Sequence, residues 1–255
     1  MTILPTTPSL RLEGRRALVT GAGRGIGAAA AAALAEVGAH VTLLARSAAE
    51  LEQQAFAIRD KGGRAEILAL DVTEIAPTTA AIGRSGPFDI LVNSAGTNRP
   101  APILDVTVSD FDAVMSLNVR AAFFVAQAVA RGLVETGRPG SIINISSQMG
   151  LVGGARRSVY CSTKWAMEGF SRAMAIDLGQ HGIRVNTICP TFVETAMTKP
   201  FFEDAAFRAS VLSKIKLGRL ARVEDIMGAI VFLASDASAM MTGTSVAVDG
   251  GWTAE

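Results

Sequence analysis

The run TGAGRGIG, from Thr20 to Gly27, constrains this chain more than any other segment. It follows a β-rich stretch, 16–20, and leads directly into an unbroken alanine run at 28–33, which favours helix. Glycines at such a turn let the backbone reverse sharply and approach a pyrophosphate, whose charge then meets the N–H groups that open the helix. Strand, glycine turn and helix in this order read as the first unit of a dinucleotide-binding fold. Gly21, Gly23, Arg24, Gly25, Ile26 and Gly27 are its candidate cofactor contacts. A glycine turn that only packs a strand on a helix has the same local pattern, so the rest of the chain must carry the assignment.

The alternation continues. Strands are expected at 16–20, 40–45, 65–70, 89–93, 141–145, 184–189 and 245–248, with helices beginning near Gly25, Ser47, Thr73, Ser109, Val159 and Val223. Short strands separated by longer helices predict an α/β fold. The expected form is a Rossmann-like, doubly wound, seven-stranded parallel sheet with helices on both faces, in one domain over 1–255. The stretch 192–217 breaks the rhythm and predicts a short helical insert on the carboxyl side of the sheet, where ligands bind in such folds.

Charge narrows the partners. The 24 Lys plus Arg residues nearly balance the 23 Asp plus Glu, which leaves no electrostatic footprint for nucleic acid or an anionic membrane. Cys161 and Cys189 are too few for a disulfide framework, and with only His40 and His181 beside them no metal site is expected. No signal peptide is read at the N-terminus, and apolar tracts such as 28–35 and 229–234 are too short to span a bilayer. A soluble cytoplasmic protein with a small-molecule partner is the expectation.

Tyr160 is the single tyrosine, and Lys164 follows it at i+4, on the same helical face. A neighbouring ammonium favours the ionised phenol and is expected to lower its pKa from about 10. A tyrosine so tuned exchanges a proton while a hydride moves. A surface tyrosine beside a solvated lysine would show the same spacing.

The motifs taken together are more specific. TGAGRGIG, NSAG (Asn93 to Gly96), Asn118 in SLNV, Ser147 in INISS and YCSTK (Tyr160 to Lys164) stand in the order and spacing of the short-chain dehydrogenase/reductase family. The chain resembles that family, including its 3-oxoacyl carrier-protein reductases and sugar or polyol dehydrogenases, from Gly14 to Trp252. The resemblance implies an NAD(P)-dependent oxidoreductase that interconverts a ketone or aldehyde and an alcohol by hydride transfer. It further implies a catalytic set of Asn118, Ser147, Tyr160 and Lys164. Tyr160 would be the general acid/base, and Ser147 would hold the substrate oxygen. Lys164 would bind the nicotinamide ribose and tune Tyr160, while Asn118 would bend its helix and hold a water linking Lys164 to solvent. Asp71, Val72, Asn93, Ala95, Gly96, Pro190, Val193 and Thr195 would line the cofactor cleft together with Tyr160 and Lys164.

Two positions depart from the family pattern: Thr191 follows Pro190 where glycine is frequent, and Ser94 replaces the second Asn of NNAG. The expected substrate lining is Asn98, Gln148, Gly153, Met197 and Phe202, with Thr97, Leu151 and Phe201 beside them. Arg156 and Arg157 either clamp a carboxylate or phosphate on the substrate, or are solvated loop cations or a subunit contact, since most charged residues are simply exposed. NADP(H) is expected over NAD(H), because Ala45 and Arg46 end the second strand where an acid would bind the free ribose. Arg24 would approach the extra phosphate from the other side, and Ser47 either adds a contact or caps the next helix. Helical stretches 111–130 and 159–178 are apolar on more than one face; flanking helices of the same chain could cover them, but the family resemblance points to a homotetramer. The alternative is a non-catalytic dinucleotide-sensing protein of the same fold. Such a protein would be expected to lose catalytic residues that are present here. A sugar-nucleotide epimerase would usually need a longer substrate domain.

Overall fold

The computed structural model describes residues 4–254; residues 1–3 and 255, included in the single-domain expectation, lie outside the described residues. Seven strands are found among them: β1 (Arg16–Thr20), β2 (His40–Ala45), β3 (Arg64–Ala69), β4 (Ile90–Asn93), β5 (Gly140–Ile145), β6 (Ile183–Pro190) and β7 (Ser245–Val248). They form one sheet in the order β3-β2-β1-β4-β5-β6-β7, and every neighbouring pair is parallel. Each expected strand is present, with its ends displaced by no more than one residue.

Strand periodicity explains the two layers of core. Successive side chains of a strand point to opposite faces. Ala17 and Val19 of β1 therefore pack with α1 (Gly25–Glu36), α2 (Ala48–Asp60) and α8 (Glu224–Ala234). Leu18 faces the other way, toward α3 (Ile75–Ser85), α5 (Ala122–Glu135) and α6 (Ser158–Gly179). The alanines of α1 keep it close to the sheet: Ala30, Ala31 and Ala33 are buried.

Between the two halves, α4 (Val108–Met115) runs through a π-helical stretch, Ser116–Ala121, straight into α5. The rod Val108–Glu135 is long and apolar enough to cross a membrane by length and composition, and its most apolar 18-residue stretch has a mean hydropathy of 1.5. No uninterrupted apolar tract in the sequence marks this rod, because Arg120 and Arg131 interrupt it. Val125, Val129 and Leu133 of this rod are part of the core beneath the sheet.

The stretch 192–217 contains a 3₁₀ turn at Lys199–Glu203 followed by α7 (Ala205–Leu212). Val211, Ile215 and Leu220 close a separate small core there with Phe192, Phe202, Phe207 and Trp252. The sheet grows outward from β1 to β3 and then reverses to β4. Such a switch opens a crevice beyond the carboxyl ends of β1 and β4.

Candidate active site and dinucleotide cleft

The crevice is stapled by Thr20. Its hydroxyl lies 3.1 Å from Asn93 Oδ1 and accepts from the main-chain N–H groups of Ser94 (3.0 Å) and Ala95 (3.1 Å). Asn93 in turn donates to the Ala122 carbonyl at 2.7 Å, tying β4 to α5. Gly21 follows with φ +65°, and a β-carbon there would stand 2.9 Å from the Ala95 backbone. Only glycine fits so close an approach in a left-handed conformation. Gly25 also has positive φ, and its missing side chain faces Thr195 at 3.5 Å. The glycine loop and the loop after β6 thus flank one gap.

The amino end of α1 opens at this gap with no side-chain cap. Its free N–H groups and the absent β-carbons fit a pyrophosphate. Farther out, Asp71 accepts from the N–H and the hydroxyl of Thr73 at 2.9 and 2.7 Å. Burial opposes its ionisation, but these bonds and Arg46 hold its pKa below the usual carboxylate value. Val72 is buried beside it. Ser47 caps α2, its Oγ accepting from the Glu50 N–H at 3.2 Å. Arg24 and Arg46 are each 3.9 Å from a carboxylate, that of Glu50 and that of Asp71 respectively.

The catalytic candidates converge at the carboxyl end of β5. Ser147 follows that strand, and Tyr160 and Lys164 lie in the first two turns of α6. Lys164 is buried and donates to the Ile145 carbonyl at 2.8 Å, with its Nζ 5.5 Å from the Tyr160 ring centre. Asn118 sits in the π-helical stretch. Its Oδ1 accepts from Thr97 N–H at 2.8 Å, and its Nδ2 donates to Thr97 carbonyl (2.8 Å) and Thr163 Oγ1 (3.2 Å). It couples the loop after β4 to the residue preceding Lys164.

The electrostatics differ from the sequence expectation for Tyr160. Burial dominates and pushes the phenol up to about 12, with the Ser147 hydroxyl and then Arg157 pulling weakly the other way. Burial likewise brings Lys164 down to about 8. The expected lowering of Tyr160 by Lys164 is therefore corrected: desolvation dominates and raises the phenol, and the opposing pulls come from Ser147 and Arg157, not from Lys164.

The substrate candidates divide. Gln148 is buried and accepts from Ser147 Oγ at 2.7 Å. Asn98 adjoins Thr97, and its Oδ1 is buried without a partner, as is Thr191 Oγ1. Gly153 and Met197 are exposed. Phe202 packs among Phe192 and Phe207 in the small core, whereas Phe201 lies under the guanidinium of Arg157. The solvated reading fits Arg156, which is exposed, but not Arg157, which is buried.

Sequence spacing did not reveal Glu168. Its buried carboxylate accepts from Thr187 Oγ1 (3.0 Å), Cys189 Sγ (3.3 Å) and Ser245 Oγ (2.5 Å). These bonds lock α6 onto β6 and β7, one turn beyond Lys164. Its position four residues after Lys164 was the available signal, but its partners come from distant strands. A separate depression of about 700 Å³ lies between α3 and α5, lined in part by Thr73, Arg120 and Phe124, and contains none of the catalytic set.

Comparison with known proteins places this arrangement. Residues 21–253 match the family model described as enoyl-(acyl carrier protein) reductase. D-erythrulose reductase of Gallus gallus is 46% identical, covering 96% of this chain and 98% of the relative. L-xylulose reductase of Bos taurus is 44% identical, covering 96% and 99%. Among solved structures, gluconate 5-dehydrogenase from Burkholderia cenocepacia in complex with NADP and tartrate aligns with a TM-score of 0.92 at 38% identity, covering 96% and 98%. The chain belongs to the short-chain dehydrogenase/reductase family. It is an NAD(P)-dependent oxidoreductase that interconverts a ketone or aldehyde with an alcohol, and the sensing alternative is set aside.

Proposed function

We propose that this enzyme uses NADP(H) to reduce, and in reverse to form, a carbonyl group on a small polyhydroxylated substrate, with Tyr160 as its acid/base. The carrying observation is the placement of half-buried Tyr160 and buried Lys164 beside Ser147 at the mouth of the cofactor crevice. The similar proteins named for reducing erythrulose and xylulose, and for oxidising gluconate, support the substrate class.

The nicotinamide, when bound, supplies or accepts the hydride. The chain does the rest. Gly21, Gly23, Arg24, Gly25, Ile26 and Gly27 bind the pyrophosphate end, and Asp71, Val72, Asn93, Ala95 and Gly96 line the adenosine side and floor. Pro190, Val193 and Thr195 close the loop after β6. Tyr160, protonated at neutral pH, gives its proton to the substrate oxygen during reduction. The Ser147 hydroxyl turns from Gln148 to that oxygen and steadies its developing charge. Lys164 stabilises the phenolate left behind. Asn118 positions Thr97 and the Lys164 turn, and proton exchange with solvent through a bound water belongs to the same scheme.

A panel of ketoses, keto acids, polyols and aldonates, assayed with both cofactors in both directions, tests this. NADPH-dependent reduction of polyhydroxylated carbonyls is the expected result; activity confined to simple apolar ketones would overturn the substrate class.

The proposal includes a cytoplasmic homotetramer that needs neither membrane nor nucleic acid, supported by the near-neutral charge balance and by the outer helix faces. Val129 and Met174 pack inward, and Phe123 meets Phe124 and Phe170 edge to face at 5.5 and 5.7 Å. Val108, Phe111, Trp165 and Ile176 remain exposed on α4 and α6. An apolar face of this kind is ordinarily covered by a partner. Light scattering at micromolar concentration should give about four times the 26.5 kDa chain mass. A monomer mass would contradict the assembly.

A further inference from the structure

Arg157 is a buried residue whose guanidinium has no anion beside it among the described residues and whose N–H donors keep contact with solvent. The residue precedes α6, three positions before Tyr160, and is 6% exposed. Among the described residues its guanidinium makes no hydrogen bond and no ion pair. The Phe201 ring covers it at 5.0 Å, which satisfies one face of the guanidinium by cation–π attraction. The five N–H donors lie in its plane, and an aromatic ring offers them no acceptor.

Arg184 shows what this fold does with a structural arginine. It donates to Ser238 Oγ and to the carbonyls of Leu233, Ser235 and Met241. Arg157 has nothing comparable. Its electrostatic neighbours are Tyr160, Arg156 and Cys161, and burial lowers its pKa. An arginine cannot shed its proton to escape such a setting, and a half-enclosed charge with no partner is left short of acceptors. The position is therefore built for an acceptor from outside the chain, beside the acid/base. Two buried oxygens, Asn98 Oδ1 and Thr191 Oγ1, also lack partners on the loops after β4 and β6. Asn98 Oδ1 can only accept, so it calls for a donor such as a hydroxyl.

We propose that Arg157 clamps a carboxylate on the substrate, which makes the preferred substrate a polyhydroxy keto acid and its alcohol, not a neutral sugar. The clamp rests on the carbonyl-reducing site proposed above and specifies its substrate class. A forked guanidinium matches a carboxylate with two parallel charge-assisted bonds. A hydroxymethyl group in the same place leaves the half-enclosed charge uncompensated.

The test compares matched pairs of keto acid and ketose, such as 5-keto-D-gluconate and L-sorbose, which differ in a carboxylate against a hydroxymethyl group. With NADPH, the parent should favour the keto acid by at least about tenfold in kcat/KM, about 1.4 kcal/mol. Arg157→Gln should reduce that ratio at least about tenfold, mainly through KM, and Arg157→Lys should restore part of it. Gluconate titrated into the NADP-loaded protein should bind the parent at least about tenfold more tightly than Arg157→Gln. Thermal unfolding identifies a variant that has simply lost its fold, and then Arg157→Lys and the parent ratio decide. A parent that reduces neutral ketoses as well as keto acids sinks the clamp and leaves the oxidoreductase reading standing. A Gln variant with an unchanged ratio sinks it too. A parent that reduces no carbonyl in the panel overturns the catalytic reading and the clamp with it.

Discussion

Replacing Tyr160 with Phe is expected to lower turnover by at least about a hundredfold, the scale of a lost general acid. The substitution removes one oxygen and keeps the ring over which Lys164 sits, so the fold and the cofactor affinity should survive. Near-normal turnover would overturn the mechanism. The pH dependence adds a second check. Reduction needs the phenol protonated, and a pKa of about 12 keeps it so throughout the working range. Lys164 titrates first, at about 8. Its deprotonation removes the charge that stabilises the phenolate formed after proton transfer, so kcat/KM for reduction should fall as pH rises past about 8. A profile that stays level well above that value would show that the lysine charge is not needed.

The second large effect concerns the cofactor. The parent should prefer NADP(H) over NAD(H) by at least about tenfold in kcat/KM, about 1.4 kcal/mol, and Ala45→Asp/Arg46→Ala should reverse the preference. Arg46 is 79% exposed, and its 3.9 Å separation from Asp71 is too long for a hydrogen bond. Its guanidinium is free to turn onto a ribose phosphate and make forked, charge-assisted bonds there. Arg24 is similarly placed, but Glu50 offsets part of its charge. Arg46 is therefore the stronger determinant. The new carboxylate at 45 would accept from the free ribose hydroxyls of NAD and repel the extra phosphate of NADP. A parent that prefers NAD(H), or a double variant with unchanged preference, would show that neither arginine reads the phosphate.

Much of the candidate site was legible in the chain because its signals are short. The glycine turn, the Tyr160–Lys164 spacing and the placement of Ser147 all concern residues within a few turns of one another or at fixed intervals along the sequence. Glu168 was invisible for the opposite reason: its hydroxyl and thiol partners, Thr187, Cys189 and Ser245, sit on two other strands. Arg156 and Arg157 look equivalent as neighbours, and only packing separates them. Residue 156 turns into solvent with a φ of 60°, while residue 157 is covered by Phe201 from the stretch 192–217.

The sequence by itself determined the strand positions and the start of most helices, because side-chain period and turn chemistry act over a handful of residues. It also supplied the candidates for proton transfer and cofactor binding. Tertiary structure decided how those groups behave. The staple between Thr20 and Asn93 joins residues 73 positions apart. The rise of the Tyr160 pKa and the fall of the Lys164 pKa come from the solvent that folding removes, and the unpaired charge of Arg157 comes from the acceptors that folding withholds. Desolvation depends on every element that closes around a group, and no spacing along one chain encodes it.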